Sequence, residues 1–243
     1  MSHFFLRSPV SGDKVSITEP AQIHHIRNVL RLRNGAQITV SDSAGAQFGG
    51  VIRAITQSQV VIEITRRLPV VPGKLKVIVA CSIPAHGKMD EIIDKLTQLD
   101  VAVIIPMMAT RCVVRLEKDS AARLARWRKI ALNAAEQSQR RVLPVIEPVL
   151  NLGEVLEKGQ EYQLKMIPTL IGATKPLQST VANVAPTSII VLIGPEGDFT
   201  QEEVGQAMQA GFIPVSLGPT VLRVETAAVA VASFLKLSFR DVE

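Results

Sequence analysis

The residues best suited to chemistry lie in two short segments toward the carboxyl end. Gly194-Pro195-Glu196-Gly197 directly follows the apolar run 188–193. Paired glycines there let a backbone approach a ligand at the end of a strand, which is where parallel sheets bind their ligands. Further on, Gly218-Pro219-Thr220 leads into Val221-Leu222-Arg223-Val224-Glu225-Thr226. An arginine and a glutamate between an apolar strand and an apolar helix form either a partly buried salt bridge or a pair aimed at substrate. Spacing alone leaves both readings open.

These segments need elements to hold them. Residues 188–193 and 212–217 read as strands, and residues 201–210 as a helix opened by a Thr200/Glu203 capping box. An alanine-rich helix is expected over about 226–238. Upstream, 75–81, 101–106 and 163–167 read as strands. Helices are expected at 88–99, with Ile92, Leu96 and Leu99 on one face, and at 120–138, with Leu124, Trp127, Ala131 and Ala134 at helical spacing. That alternation predicts an α/β fold with a mainly parallel sheet. Residues 1–68 read differently. Short strands at 3–6, 14–18, 36–41, 48–55 and 59–65, punctuated by turns such as Asn34-Gly35, predict a small β-barrel. One helix at 19–30 interrupts it, with Pro20 in its first turn. Pro69 to Gly73 breaks both patterns, so two domains are expected, 1–72 and 73–243.

Composition removes several alternatives. The 243 residues carry 27 Lys and Arg against 22 Asp and Glu, a net +5, and 47 % are hydrophobic, which excludes disorder. Aromatics are only 4 %, too few for a protein that grips single strands mainly by stacking bases on exposed rings. Cys81 and Cys112 are too few for a disulfide framework, and His3, His24, His25 and His86 show no metal-ligand spacing, so no metal is expected. No G-x-G-x-x-G follows a strand, Gly87-Lys88-Met89 is no phosphate loop, and no G-x-S-x-G elbow occurs. No run is long and apolar enough to span a membrane, and no export signal opens the chain, so a cytoplasmic address is expected. Charge is uneven: residues 1–73 hold +4 of the surplus, and 111–141 hold nine basic and three acidic side chains. Both patches suit a polyanion.

Taken together, the chain resembles the small-subunit ribosomal RNA methyltransferase E (RsmE) family of SPOUT-type RNA methyltransferases. In the first part the resemblance rests on His25-Ile-Arg-Asn-Val-Leu-Arg-Leu32 with Asn34-Gly35. In the second it rests on Lys88-Met89 leading to Lys95 and Leu99, on Ala135-Glu136-Gln137-Ser138 with Arg140 or Arg141 and Pro144, and on both strand-end segments with Glu203. It implies a PUA-like RNA-binding barrel, a sheet whose last segments form a deep trefoil knot, and a homodimer. The implied activity is S-adenosylmethionine-dependent methylation of N3 of a uridine in 16S ribosomal RNA, with S-adenosylhomocysteine as product. Ile167, Gly194, Pro195, Glu196, Gly197, Leu217, Gly218, Val221 and Leu222 are the implied cofactor residues.

Within that resemblance, Arg223 would stabilise charge on a uracil oxygen, and Glu225 would be a base or would orient Arg223. A side chain at Gly194 or Gly218 would obstruct the cofactor. Arg27 and Arg31, four apart on the expected helix, with Arg7 and Arg33 beside them, would form a phosphate-binding stripe. His25 reads as a packing residue. Arg140 and Arg141 would reach RNA or complement the end of the long helix. Three positions depart from the family pattern: Asp198 in place of a glycine, Thr110 in place of a glutamate, and Gln98-Leu99-Asp100 in place of Glu-Leu-Gly.

Overall fold

The computed structural model describes residues 2–6, 8–42, 45–69, 75–85, 87–113, 120–140 and 142–239. Arg7, His86 and Arg141 fall outside this set, as does most of the 69–73 break. The chain divides into two compact units, Met1–Pro72 with Ala135–Leu143, and Gly73–Ala134 with Pro144–Glu243. The short second piece of the first unit begins in the last turn of the helix Ser120–Gln137 and runs on past its end.

In the first unit, strands β1 (His3–Phe5), β2 (Lys14–Ile17), β3 (Gln37–Ser41), β4 (Gln47–Ile55) and β5 (Val60–Leu68) form one sheet in the order β1-β3-β4-β5-β2. The path ends on two edges, so the sheet is an open, half-barrel form of the closed barrel expected. Alternation along these strands buries Phe4, Ile38, Val40, Ile52 and Ile62 in one cluster. Helix α1 (Pro20–His24) begins at proline, as expected, but the next turn, His25–Val29, is π-helical and Arg31 has φ +50°.

The second unit is a parallel sheet covered on both faces. Its elements are β6 (Lys76–Ser82), α2 (Met89–Gln98), β7 (Val103–Met108), α3 (Ser120–Gln137), β8 (Val145–Ile146), β9 (Leu150–Asn151), α4 (Leu152–Lys158), β10 (Leu164–Pro168), β11 (Lys175–Pro176), α5 (Leu177–Val181), β12 (Ser188–Ile193), α6 (Gln201–Gln209), β13 (Ile213–Ser216) and α7 (Val224–Ser238). Strand order is β11-β13-β10-β12-β6-β7-β8, with β9 also pairing β7, and each described pairing is parallel.

Both sheet faces are buried, so the central strands are continuous apolar runs. Val77, Val79, Val191 and Ile193 face α2, α5 and α7 together with Trp127 and Ala131 of α3. Ile78, Ala80, Ile190 and Leu192 face α4 and α6. Each fully buried Val, Leu or Ile contributes about 1.5–3 kcal/mol. The carboxyl ends of β13, β10 and β12, three neighbouring parallel strands, therefore lie side by side toward one edge of the packed sheet.

Candidate active site

Loops leaving the carboxyl ends of β10, β12 and β13 surround one cavity of about 610 Å³, its open mouth included. The loop after β10 contributes Pro168, Thr169 and Leu170. The turn after β12 contributes Gly194, Pro195, Glu196 and Asp198. The last loop contributes Leu217, Gly218, Thr220, Val221 and Leu222, and Val224 and Ala227 of α7 complete the wall.

The two glycines are required for different reasons. A Cβ at Gly194 would lie 3.0 Å from two carbons of the buried Phe199 ring, so the loop's own packing already demands this glycine. Gly218 has φ +118° and open space where a Cβ would project, so there the backbone conformation selects glycine.

The Gly194–Thr200 loop is tied down from several sides. Asp198 N–H closes the turn on the Pro195 carbonyl at 2.9 Å. Arg111 Nη1 donates to the carbonyls of Gly197 at 2.7 Å and Phe199 at 3.3 Å. Glu196 Oε1 accepts the Ala85 N–H at 3.0 Å. Asp198 reaches the β10 loop, accepting from Thr169 Oγ1 and from the Leu170 N–H. The Thr200/Glu203 capping box forms as expected, with Thr200 Oγ1 accepting from the Glu203 N–H at 3.1 Å and Glu203 Oε2 from the Thr200 N–H at 2.8 Å.

Not every residue singled out by sequence meets the cavity. Gly194, Pro195, Glu196, Leu217, Gly218, Val221 and Leu222 line it; Ile167 and Gly197 do not. Ile167 points into the buried face shared with Phe199, and Pro168 and Thr169 take the place expected of it. Arg223 is exposed at the N-cap of α7, and Glu225 is half-buried in the first turn. Neither makes an ion pair with a described residue, which removes the salt-bridge reading among those residues. Spacing gave no sign of the Thr169–Asp198 link or of Arg111, because both join segments distant in the chain.

The cavity suits a nucleoside carrying positive charge. Its walls are mostly aliphatic, fit to cover a purine, and the acidic Glu196 lies at the wall, while Asp198 spends its carboxylate on the loops themselves. Burial pushes the Cys81 thiol far up, so it is no thiolate nucleophile. Among the described residues no group of three or more His, Cys, Asp or Glu side chains could hold a metal.

In the first unit Arg27, Arg31 and Arg33 are exposed, and Arg27 Nη1 donates to the Thr56 carbonyl at 3.3 Å. Arg27 and Arg31 do not share one α-helical face, because the helix widens to a π turn and Arg31 turns left-handed beyond it. His25 packs edge-on against Phe4, consistent with a packing role. Arg140 is buried, and its Nε donates to the Val142 carbonyl at 2.5 Å, just past the end of α3.

Family models agree with this architecture: an RNA methyltransferase domain matches residues 71–236, and an RNA methyltransferase PUA domain matches 17–65. The class is thus that of a two-part RNA methyltransferase. The ribosomal RNA small subunit methyltransferase E of Bacillus subtilis is 32 % identical over 218 residues, covering 85 % of this chain and 83 % of that one. The enzyme of the same name from Neisseria gonorrhoeae, solved bound to S-adenosyl methionine, superposes with a TM-score of 0.83 at 30 % identity, covering 98 % of each chain. A methyltransferase from Legionella pneumophila with bound cofactor SAM gives a TM-score of 0.84 at 28 % identity over 97 % of each chain. The chain belongs to the ribosomal RNA small subunit methyltransferase E family.

Proposed function

We propose that this protein methylates N3 of one uridine in 16S ribosomal RNA on the assembled small subunit, with S-adenosylmethionine as donor, acting as a cytoplasmic homodimer. The observation that carries the reading is the aliphatic cavity at the ends of β10, β12 and β13, with Arg223 and Glu225, neither ion-paired to a described residue, at the start of the helix beside it. Bound there, the cofactor supplies an electrophilic methyl group on a sulfonium.

The protein's own residues then have two tasks. One is alignment, since in-line displacement depends on holding the reacting atoms in register. The other is the imide proton, which must leave before the N3 lone pair can attack. Glu225 takes that proton, and the Arg223 guanidinium stabilises the negative charge left on a uracil oxygen. N3 gains the carbon–nitrogen bond, and the carbon–sulfur electron pair stays on sulfur as S-adenosylhomocysteine departs. Gly194, Pro195, Glu196, Leu217, Gly218, Val221 and Leu222 hold the donor, with Ile167 and Gly197 supporting those loops from behind. Arg27, Arg31 and Arg33, with Arg7 and Arg141 as further candidates, contact phosphates and set register without reading sequence. The trefoil thread belongs to the loops around this cavity.

The test is to incubate the protein with labelled S-adenosylmethionine and unmodified small subunits, naked ribosomal RNA and transfer RNA, and then to map the label. Label on N3 of one ribosomal uridine, on subunits only, is the expected result. Label confined to transfer RNA, or cofactor binding without transfer to any RNA, overturns it.

A further inference from the structure

Of the residues lining the cavity, Asp198 is the one non-glycine with positive φ, +59°. That conformation disfavours most side chains, though aspartate tolerates it better than others. Its carboxylate shows what the strain achieves. Oδ2 accepts both the Thr169 hydroxyl at 3.0 Å and the Leu170 N–H at 2.8 Å, and Oδ1 accepts the Phe199 N–H at 2.8 Å. Thr169 is 7 % exposed; its Oγ1 accepts the Ile171 N–H at 3.1 Å, and its own N–H donates to the Val215 carbonyl of β13 at 3.2 Å. One side chain thus joins the β10 loop, itself anchored on β13, to the turn after β12. Bonds to a carboxylate acceptor are stronger than those between neutral groups.

We propose that Asp198 is a positioning residue for the methyl donor, bracing two loops so that the cavity stands formed before the donor enters. This rests on reading the cavity as the S-adenosylmethionine site. Without the brace, ordering the loops would be charged against binding. A brace serves any ligand that fills the space, so S-adenosylmethionine and S-adenosylhomocysteine depend on it equally. A carboxylate touching the sulfonium directly would instead favour the charged donor over the neutral product thioether.

Two variants separate these roles. Asp198→Asn keeps size, tolerance of the left-handed backbone and one oxygen for Phe199, but turns an amide nitrogen toward the two donors of Thr169 and Leu170. Asp198→Gly removes the side chain while relaxing the backbone. The measurements are amide hydrogen exchange of the ligand-free protein, calorimetric affinity for each ligand, and the division between kcat and the donor KM. Both variants are expected to speed exchange at Leu170 and to lose about tenfold in affinity for both ligands. The donor KM should rise in step, with kcat at saturating donor kept within about twofold. Unchanged affinity, a loss confined to S-adenosylmethionine, or a fall in kcat at constant KM overturns the proposal. If the wild-type protein binds neither ligand, the assignment of the cavity fails, and exchange at Leu170 reports separately whether the brace exists.

Discussion

Glu203 Oε1 accepts the backbone N–H of Thr110 at 2.8 Å while its other oxygen closes the capping box with Thr200. The carboxylate is 5 % exposed, so a single buried group fixes both the start of α6 and the segment after β7. Only the backbone of Thr110 is used, so the exchange of its side chain leaves this link intact. Glu203→Ala takes the acceptor from two partly buried N–H donors and should cost about 1–3 kcal/mol, read by urea denaturation. Glu203→Gln, which keeps one acceptor, should cost less than half of that.

Arg223 lies outside the cavity wall and touches no described acid, so its removal should spare the cofactor. Arg223→Ala is expected to lower single-turnover methylation by about a hundredfold or more, the usual loss for an electrostatic stabiliser. Calorimetric affinity for S-adenosylmethionine should stay within about twofold. Unchanged turnover would remove Arg223 from the chemistry.

Gly194→Ala drives a methyl group against the Phe199 ring at 3.0 Å. Overpacking of this kind costs about 1–3 kcal/mol and should displace the turn that lines the cavity. Adding Phe199→Leu should recover part of the stability. A double-mutant cycle with no coupling between the two positions would assign the glycine to the ligand instead.

Charge on the first unit should show in salt dependence. The double change Arg27→Ala, Arg31→Ala removes two cations, so the slope of log affinity against log salt should become shallower by about 1.4–1.8. Cofactor affinity should not move. An RNA titration at four salt concentrations measures the slope.

Burial raises the Glu136 carboxyl from its ordinary 4.5 to about 7, and its Oε1 finds no partner among the described residues. Between those values the folded chain holds more protons than the unfolded one, so this group's contribution falls as pH rises through that window. Glu136→Gln stays neutral throughout. Its stability relative to wild type should therefore climb from pH 5 to pH 8 in parallel denaturations; a pH-independent difference would contradict the raised value.

Much of the frame was legible because periodicity and capping are local. The strand Ser188–Ile193 has the expected limits, and α6 starts at the capping box read from Thr200 and Glu203. The two-residue strands β8, β9 and β11 are too short to show a period. Helix α4 carries a local signal of its own, a capping box of Asn151 with Glu154, but its seven residues are too few for a clear apolar period.

Local pattern along the chain already specifies that a parallel α/β unit follows a β-rich one and that glycine turns end its late strands, and it sets Arg223 at the start of the last helix, which takes in Glu225 as well. These follow from side-chain period, turn chemistry and order along the chain. Only the tertiary structure decided that Asp198 meets Thr169, that Arg111 holds Gly197, that Arg140 turns inward, and that Arg31 leaves the helical face of Arg27. Each of these depends on where distant backbone groups are left needing a partner, or on how a helix ends against its neighbours. Such demands arise only after the strands have taken their places in the sheet.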